Sequence, residues 1–279
     1  CFQIIRHKLK FFICLYKNII YCIMNIKDRV EILNNCIKGV IESANARKKR
    51  IRKLDFSHLC YVKLLAISQN YGIKIATSHL DFNVSSSAIE KMNKVYGSEF
   101  AKELKTKIMS LFPKQNRRFL AVDGSRVCIN KQICQKEPGF QLTKTNSYTT
   151  AMLTSIYDVN NKVPIALNLT GHHNERKGFQ DCLSHLREGD CLIFDRGYYS
   201  EQLVQELLDL KLDFIFRMKE NSKVIKEPFS ATKVTSYTID NQQYYILTSL
   251  ESYPDRALKD LYHKRWTVEE WFKYLKEQL

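Results

Sequence analysis

From position 118 onward, apolar runs alternate with turn residues in an order that predicts strands first and helices afterwards. RFLAVDGSRVCI, 118–129, reads as an apolar strand interrupted by Asp123, with Gly124 next to it. SYTTAMLTSIYDV and VPIALNLT are β-rich runs joined by Asn160-Asn161-Lys162, a hairpin signal. ERKGFQDCLSHL, 175–186, has a helical period, and CLIFD is a short buried strand that ends on Asp195. SEQLVQELLDLKL is then an amphipathic helix and DFIFRMK a further strand. Three strands in a meander followed by alternating helix and strand describe an α/β domain whose first strand can lie beside CLIFD. Residues 220–250, with Tyr244, Tyr245, Ile246 and Leu247, predict a small β-rich insertion, and a single final helix is expected from about Pro254 to the end.

Before Pro113 the pattern is helical. Residues 26–44, SHLCYVKLLAISQN and SSSAIEKMNKVYG all carry helical periods, the last with a serine N-cap. An all-helical N-terminal region over 24–115 is therefore expected ahead of an α/β domain over 116–279. The opening stretch is apolar, but Lys10 and Lys17 leave only FFICLY between them. That is far short of the ~20 residues a membrane helix needs, so no membrane partner is expected. The first residue is Cys1 and Met24 is a plausible start, so 1–23 is expected to be an upstream extension, with an irregular helix packed on the rest as the alternative. The chain stops at Leu279 inside a helical pattern, as a C-terminally truncated domain would.

Charge narrows the function classes. The formal net charge is +15, from 44 Lys and Arg against 29 Asp and Glu, and an excess of that size favours a polyanionic partner. Within it, RKKRIRK at 47–53, led by Arg47, Lys48, Lys49 and Arg50, is a candidate for phosphate contact as well as an ordinary solvated face. Nine scattered cysteines with no CxxC argue against a disulfide framework or a zinc site, and for a reducing, cytoplasmic setting.

The carboxylates then supply a chemistry. Asp123 and Asp195 each interrupt or end an apolar strand, and a buried carboxylate is costly without a partner. Either aspartate alone reads as turn chemistry; two on strands that the topology can set side by side are harder to dismiss. In LYHKRWTVEEWFKYLK, positions 262, 265, 269 and 276 of an ideal helix fall within an arc of about 60°. Glu269 thus joins Tyr262, Arg265 and Lys276, while Glu270 points to solvent, and Leu261, Val268, Trp271, Phe272, Leu275 and Leu279 form the neighbouring apolar arc. Three carboxylates with no thiolate or imidazole suit Mg²⁺ or Mn²⁺. Two such ions can activate a water and stabilise the leaving oxygen in phosphodiester cleavage, with the Tyr, Arg and Lys holding phosphates. A metal-dependent nuclease or strand-transferase is the chemical expectation.

The spacing Tyr262-x2-Arg265-x3-Glu269-x6-Lys276 resembles the Tyr-Arg-Glu-Lys signature of bacterial insertion-sequence transposases with a DDE catalytic domain, of the IS-four type. FLAVDGSR is similar to the surroundings of that family's first catalytic aspartate and LIFDRGYYS to those of its second. The resemblance covers roughly 115–279. It implies an RNase H-like mixed sheet flanked by helices, with a β-rich insertion, and two divalent ions on Asp123, Asp195 and Glu269. It also implies a grip on double-stranded DNA, at the element's terminal inverted repeats and the target, by Tyr262, Arg265 and Lys276. A homodimer that pairs two element ends follows from it, acting on the nucleoid. Arg196, Arg217 and Lys219 are further candidates for backbone contact. Two alternatives stay open beside cut-and-paste transposition: an inactive relic that only binds element ends, and a stand-alone RNase H-like nuclease.

Overall fold

The computed structural model describes residues 115–130 and 148–277, the stretches 73–78 and 85–92, and isolated positions at 62, 106, 109 and 112. The chain divides into two compact units, of which the second, Lys114–Glu277, is described nearly throughout. In the first unit the described residues include a short helix, Ile73–Ser78. The expected N-terminal features, namely residues 1–23, most of 24–115 and the basic run Arg47, Lys48, Lys49 and Arg50, lie outside the described residues.

The second unit is a seven-stranded mixed sheet. Its strands are β1 (Phe119–Asn130), β2 (Tyr148–Asp158), β3 (Val163–Thr170), β4 (Cys191–Phe194), β5 (Asp213–Met218), β6 (Lys233–Ile239) and β7 (Gln242–Thr248). Their order across the sheet is β3-β2-β1-β4-β5-β7-β6. The meander β1–β3 is antiparallel, β1, β4 and β5 run parallel, and the β6–β7 hairpin joins the far edge antiparallel to β5. With helices packed on it, this is an RNase H-like α/β fold. The β-rich stretch expected over 220–250 contains the β6–β7 hairpin, which continues the main sheet.

Why the centre of the sheet lies where it does follows from β4. All four residues of CLIF are buried, as expected of a parallel strand covered on both faces. Phe194 stacks on Phe216 at 4.6 Å between ring centroids and meets Phe179 edge-on at 5.2 Å. The β2–β3 turn is held by Asp158, whose carboxylate accepts the backbone N–H groups of Asn160 and Asn161, and Lys162 takes φ 53° to close it.

Two helical expectations are corrected. The run 175–186 is helical only over α1 (Glu175–Gln180) and then tightens into a 3₁₀ turn, Leu183–His185. Gly178, Asp181, Cys182 and His185 are all weak helix formers, and Cys182 N–H bonds back only three residues, to Phe179 O at 2.8 Å. The amphipathic helix α2 (Glu201–Asp209) forms as expected, capped by Ser200. The single final helix is in fact two, α3 (Asp255–His263) and α4 (Trp266–Glu277). Between them Arg265, Thr267 and Val268 donate to carbonyls three residues back, and the Thr267 hydroxyl caps the Lys264 carbonyl at 2.8 Å. That side chain competes with the regular ladder and permits the break. No helix among the described residues is long and apolar enough to cross a membrane.

The β1–β4 register is locked at the strand starts. Arg118 donates through Nε to Asp190 Oδ1 at 2.8 Å and through Nη2 to Oδ2, while Arg187 N–H donates to the same carboxylate at 2.9 Å. Asp190 is fully buried, so its charge depends on these donors. Asp190→Ala is expected to cost about 3 kcal/mol in urea unfolding, because removing one partner strands the other, with Asp190→Asn intermediate. A loss under ~0.5 kcal/mol would mean that the register is set elsewhere.

Candidate active site

β4 pairs with β1 only through Phe119↔Cys191, Leu120↔Leu192, Ala121↔Ile193 and Val122↔Phe194. Asp123 and Asp195 are therefore the first residues beyond the parallel ladder on adjacent strands. β1 itself runs on to Asn130, paired from there with β2 alone, so Asp123 lies inside a strand and Asp195 just past the end of one. Both belong to the carboxyl-terminal end of the parallel strands, where α/β sheets gather functional groups.

The third carboxylate comes from α4, which packs on β1. Val268, Phe272 and Leu275 are buried, and Trp271 lies against Tyr157 of β2 at 5.6 Å. This anchoring leaves Glu269 half-buried on the flank of the apolar stripe and Glu270 exposed.

Arg265 joins the groups. Its Nη2 bonds Glu269 Oε1, and its Nη1 lies 3.9 Å from Asp123 Oδ2. The guanidinium carbon stands 5.9 Å from the centre of the Tyr262 ring, and the Tyr262 hydroxyl donates to Asp195 Oδ1 at 3.4 Å. One Tyr-Arg pair at the α3–α4 junction thereby touches carboxylates from β1, the end of β4, and α4.

Charges at this density shift ionisation. Burial lifts Asp123 from 3.8 to about 6, against the pull of Arg265, while Glu269 and Glu175 push the same way as burial. Burial likewise pushes Tyr262 up to about 12, with Arg265 opposing, so this phenol is a hydrogen-bond donor at neutral pH. Burial works against the Arg265 cation, yet Tyr262, Asp123, Glu269 and Asp195 hold its ionisation above the ordinary arginine value.

Not every expected residue joins. Lys276, at the far end of α4, is exposed, as are Arg196 and Lys219. Arg217 on β5 is half-buried, with its guanidinium 4.8 Å from the centre of the Tyr244 ring, and its charge reaches Tyr262. One residue was missed. Glu175, at the start of α1, is half-buried, and its ionisation is raised by burial and then by Asp195, with Arg126 opposing. The sequence signal for it was faint: a single Glu behind the Asn174 cap, where first-turn acids are commonplace.

Oxygen-only donors suit a hard divalent cation. Among the described residues no three acidic, histidine or cysteine side chains converge tightly enough to enclose one; here the Arg265 cation meets Asp123 and Glu269 instead. Asp123, Asp195 and Glu269 have the chemistry for such an ion, and holding one needs Arg265 to give way.

The family model of the transposase DDE domain matches residues 114–279, more than half of the chain, and the chain belongs to that family. Transposases carrying this domain act on DNA and generally use divalent metal ions. No curated protein matches the chain.

Asp123 gives the site a pH signature. Its folded value, about 6, exceeds its ordinary 3.8, so between those values the folded state holds a proton that the unfolded chain has lost. The penalty for its charge grows as pH rises through that window and is constant above it. In metal-free protein, Asp123→Asn is expected to stabilise by up to about 3 kcal/mol near pH 7 and to lose that advantage below about pH 4. Thermal melts across pH check this, and a gain that does not vary with pH would refute the assignment.

Proposed function

We propose that this protein is an insertion-sequence transposase that cuts DNA at the element's ends and joins the freed ends to a target, with Asp123, Asp195 and Glu269 as its catalytic carboxylates. The observation that carries this reading is the convergence of these carboxylates, distant in sequence, on Arg265 and Tyr262. The Tyr-Arg-Glu-Lys spacing supports the IS-four type, and membership of the transposase DDE family supports the reaction class.

In the proposed reaction, water attacks phosphorus at the element boundary and the P–O bond to the 3′ oxygen breaks. The freed 3′ hydroxyl then attacks a target phosphorus, breaking its bond to the target's own 3′ oxygen, which leaves as a hydroxyl while the attacking hydroxyl loses its proton. Mg²⁺ or Mn²⁺, two ions bound by the three carboxylates, would lower the pKa of the attacking oxygen and neutralise the leaving one. Arg265 exchanges its carboxylate partners for a phosphate, which its forked guanidinium fits equally well. Tyr262 donates a hydrogen bond to a neighbouring phosphate oxygen. Lys276 on α4, Arg217 and Lys219 at the end of β5, and Arg196 after β4 bind the backbone further out, and the basic run 47–50 adds phosphate contacts by its charge. Double-stranded DNA is the substrate, both as terminal inverted repeat and as target, and the nucleoid in the cytoplasm is where the reaction belongs. Joining two ends at once calls for two copies of the chain.

The test is cleavage of a labelled duplex bearing the element's terminal repeat, with Mg²⁺ or Mn²⁺. Nicking at the boundary is expected, and Asp123→Asn, Asp195→Asn or Glu269→Gln should each lower its rate at least ~10³-fold, since the ions supply several kcal/mol of charge stabilisation. Binding without metal-dependent nicking would leave an end-binding relic. Cleavage of any duplex without joining would favour a stand-alone nuclease.

The outlying cations have their own readout. Lys276→Gln is expected to weaken duplex binding about equally for all sequences and to reduce the slope of log affinity against log salt by about one. Titrations of 50–200 mM salt, followed by fluorescence anisotropy, measure it, and an unchanged slope would remove Lys276 from the DNA surface.

A further inference from the structure

Successive side chains on a strand point to opposite faces of the sheet. Asp123 faces Arg265 and α4, so the next position, Gly124, opens towards the other face. A side chain there would meet Glu175, with Cγ 2.8 Å and Cδ 3.2 Å from the Cβ position, and Met152 Sδ at 3.1 Å. The missing side chain of Gly124 is therefore the space that Glu175 uses. Through it a carboxyl group on α1 comes up against the backbone next to Asp123, from the face opposite to Glu269.

α1 is fastened in that place. Gly178 packs so closely on the buried Thr154 that a methyl group would run into its hydroxyl. Arg176 reaches across to the loop after Asp195, with Nη2 donating to Gly197 O at 3.0 Å and to Tyr199 O at 2.8 Å. The segment that carries Glu175 thus grips the backbone that carries Asp195.

A second observation points into the same space. Tyr198 is 1% exposed, its ring lying 5.4 Å from that of Phe194, and its hydroxyl has no hydrogen-bond partner among the described residues. Beyond burial, Glu175 and Asp123 act most strongly on its ionisation, and both raise it. A buried phenol O–H without a partner costs about 1–3 kcal/mol, and this one belongs to a residue whose backbone N–H is bonded to Asp195 O at 3.1 Å. A hydrated cation satisfies both: its water accepts from the phenol and its charge offsets the surplus of acid.

We propose that Glu175 is a fourth carboxylate of the site, helping to hold the divalent cation on the Asp195 side with Tyr198 hydrogen-bonded to that ion's water. The proposal rests on the metal-dependent reading above and adds to it a group from the opposite face of β1. Arg265 meets Asp123 and Glu269, whereas the ionisation of Glu175 on the other face is raised by burial and by Asp195, with Arg126 opposing. A cation on that side would relieve the repulsion between Glu175 and Asp195.

The experiment uses the whole chain with a duplex present and Mn²⁺ as the probe, comparing wild type, Glu175→Gln and Asp195→Asn. Glutamine keeps the packing on Gly124 and removes only the charge. Calorimetric titration of Mn²⁺ is expected to show affinity at least ~10-fold weaker in Glu175→Gln, the scale at which supporting groups affect metal sites. Thermal melting without metal should show Glu175→Gln no less stable than wild type, because a repulsion has gone; a merely structural residue would lower the melting point and leave Mn²⁺ affinity alone. If Glu175→Gln binds Mn²⁺ like wild type while Asp195→Asn loses it, the proposal falls and the reading of the site stands. If neither substitution alters Mn²⁺ uptake, the carboxylates do not hold the cation and both fall together.

Discussion

Like charges must be held close together at the end of this sheet, and the Arg265 guanidinium is what makes that tolerable. It meets Glu269 and Asp123 at once, while its neighbour Tyr262 reaches Asp195. Burying a carboxylate without a counter-charge costs several kcal/mol, and the raised pKa of Asp123 shows that even here the compensation is incomplete. A site of this kind is assembled against its own electrostatics. It therefore depends on a scaffold stiff enough to hold the groups in place.

That scaffold is the parallel β1–β4 pair. At its start Asp190 ties Arg118 and Arg187 together in a buried ion pair; at its end Val122 pairs with Phe194 and the two aspartates follow. Between them the phenylalanines of β4 and β5 fill the centre of the sheet. Interiors packed in this way transmit little slack, so a register fixed at one end of four residues is still fixed at the other. The α3–α4 break contributes in its own way. With its i→i−3 bonds at Arg265, the chain turns tightly just where the Tyr-Arg pair has to address carboxylates on two strands.

Most of the sheet was legible because its strands are uniform in character. Apolar runs, the Asn160-Asn161-Lys162 turn and the amphipathic α2 each follow from local preference, and preference and tertiary packing agree in them. The helical misreadings share one cause. In 175–186 and around Lys264 the apolar period continues while the backbone does not, because the weak helix formers Asp181 and Cys182 and the hydrogen bond of the Thr267 hydroxyl leave no mark on hydrophobic periodicity. Reading 255–279 as one helix still selected Glu269 over Glu270, since both fall within α4, whose own period is regular. Lys276 was set on the same stripe, but two turns along α4 it is exposed and outside the cluster.

What the sequence by itself determined is the chemistry and the order of the parts. Asp123 and Asp195 end up beside apolar ladders, Glu269 follows Arg265 by one helical turn, and the three acids offer oxygen donors alone. These are local relations, set by strand alternation and the helical repeat. Tertiary structure alone decided that Glu175 comes up against Gly124, next to Asp123. No periodicity links position 175 to 124 or 195; the link is a glycine with no side chain, a close helix–strand contact at Gly178 and an arginine reaching over to a distant loop. Such proximity comes from packing two elements on opposite sides of one strand, and a one-dimensional pattern carries no record of which faces will meet.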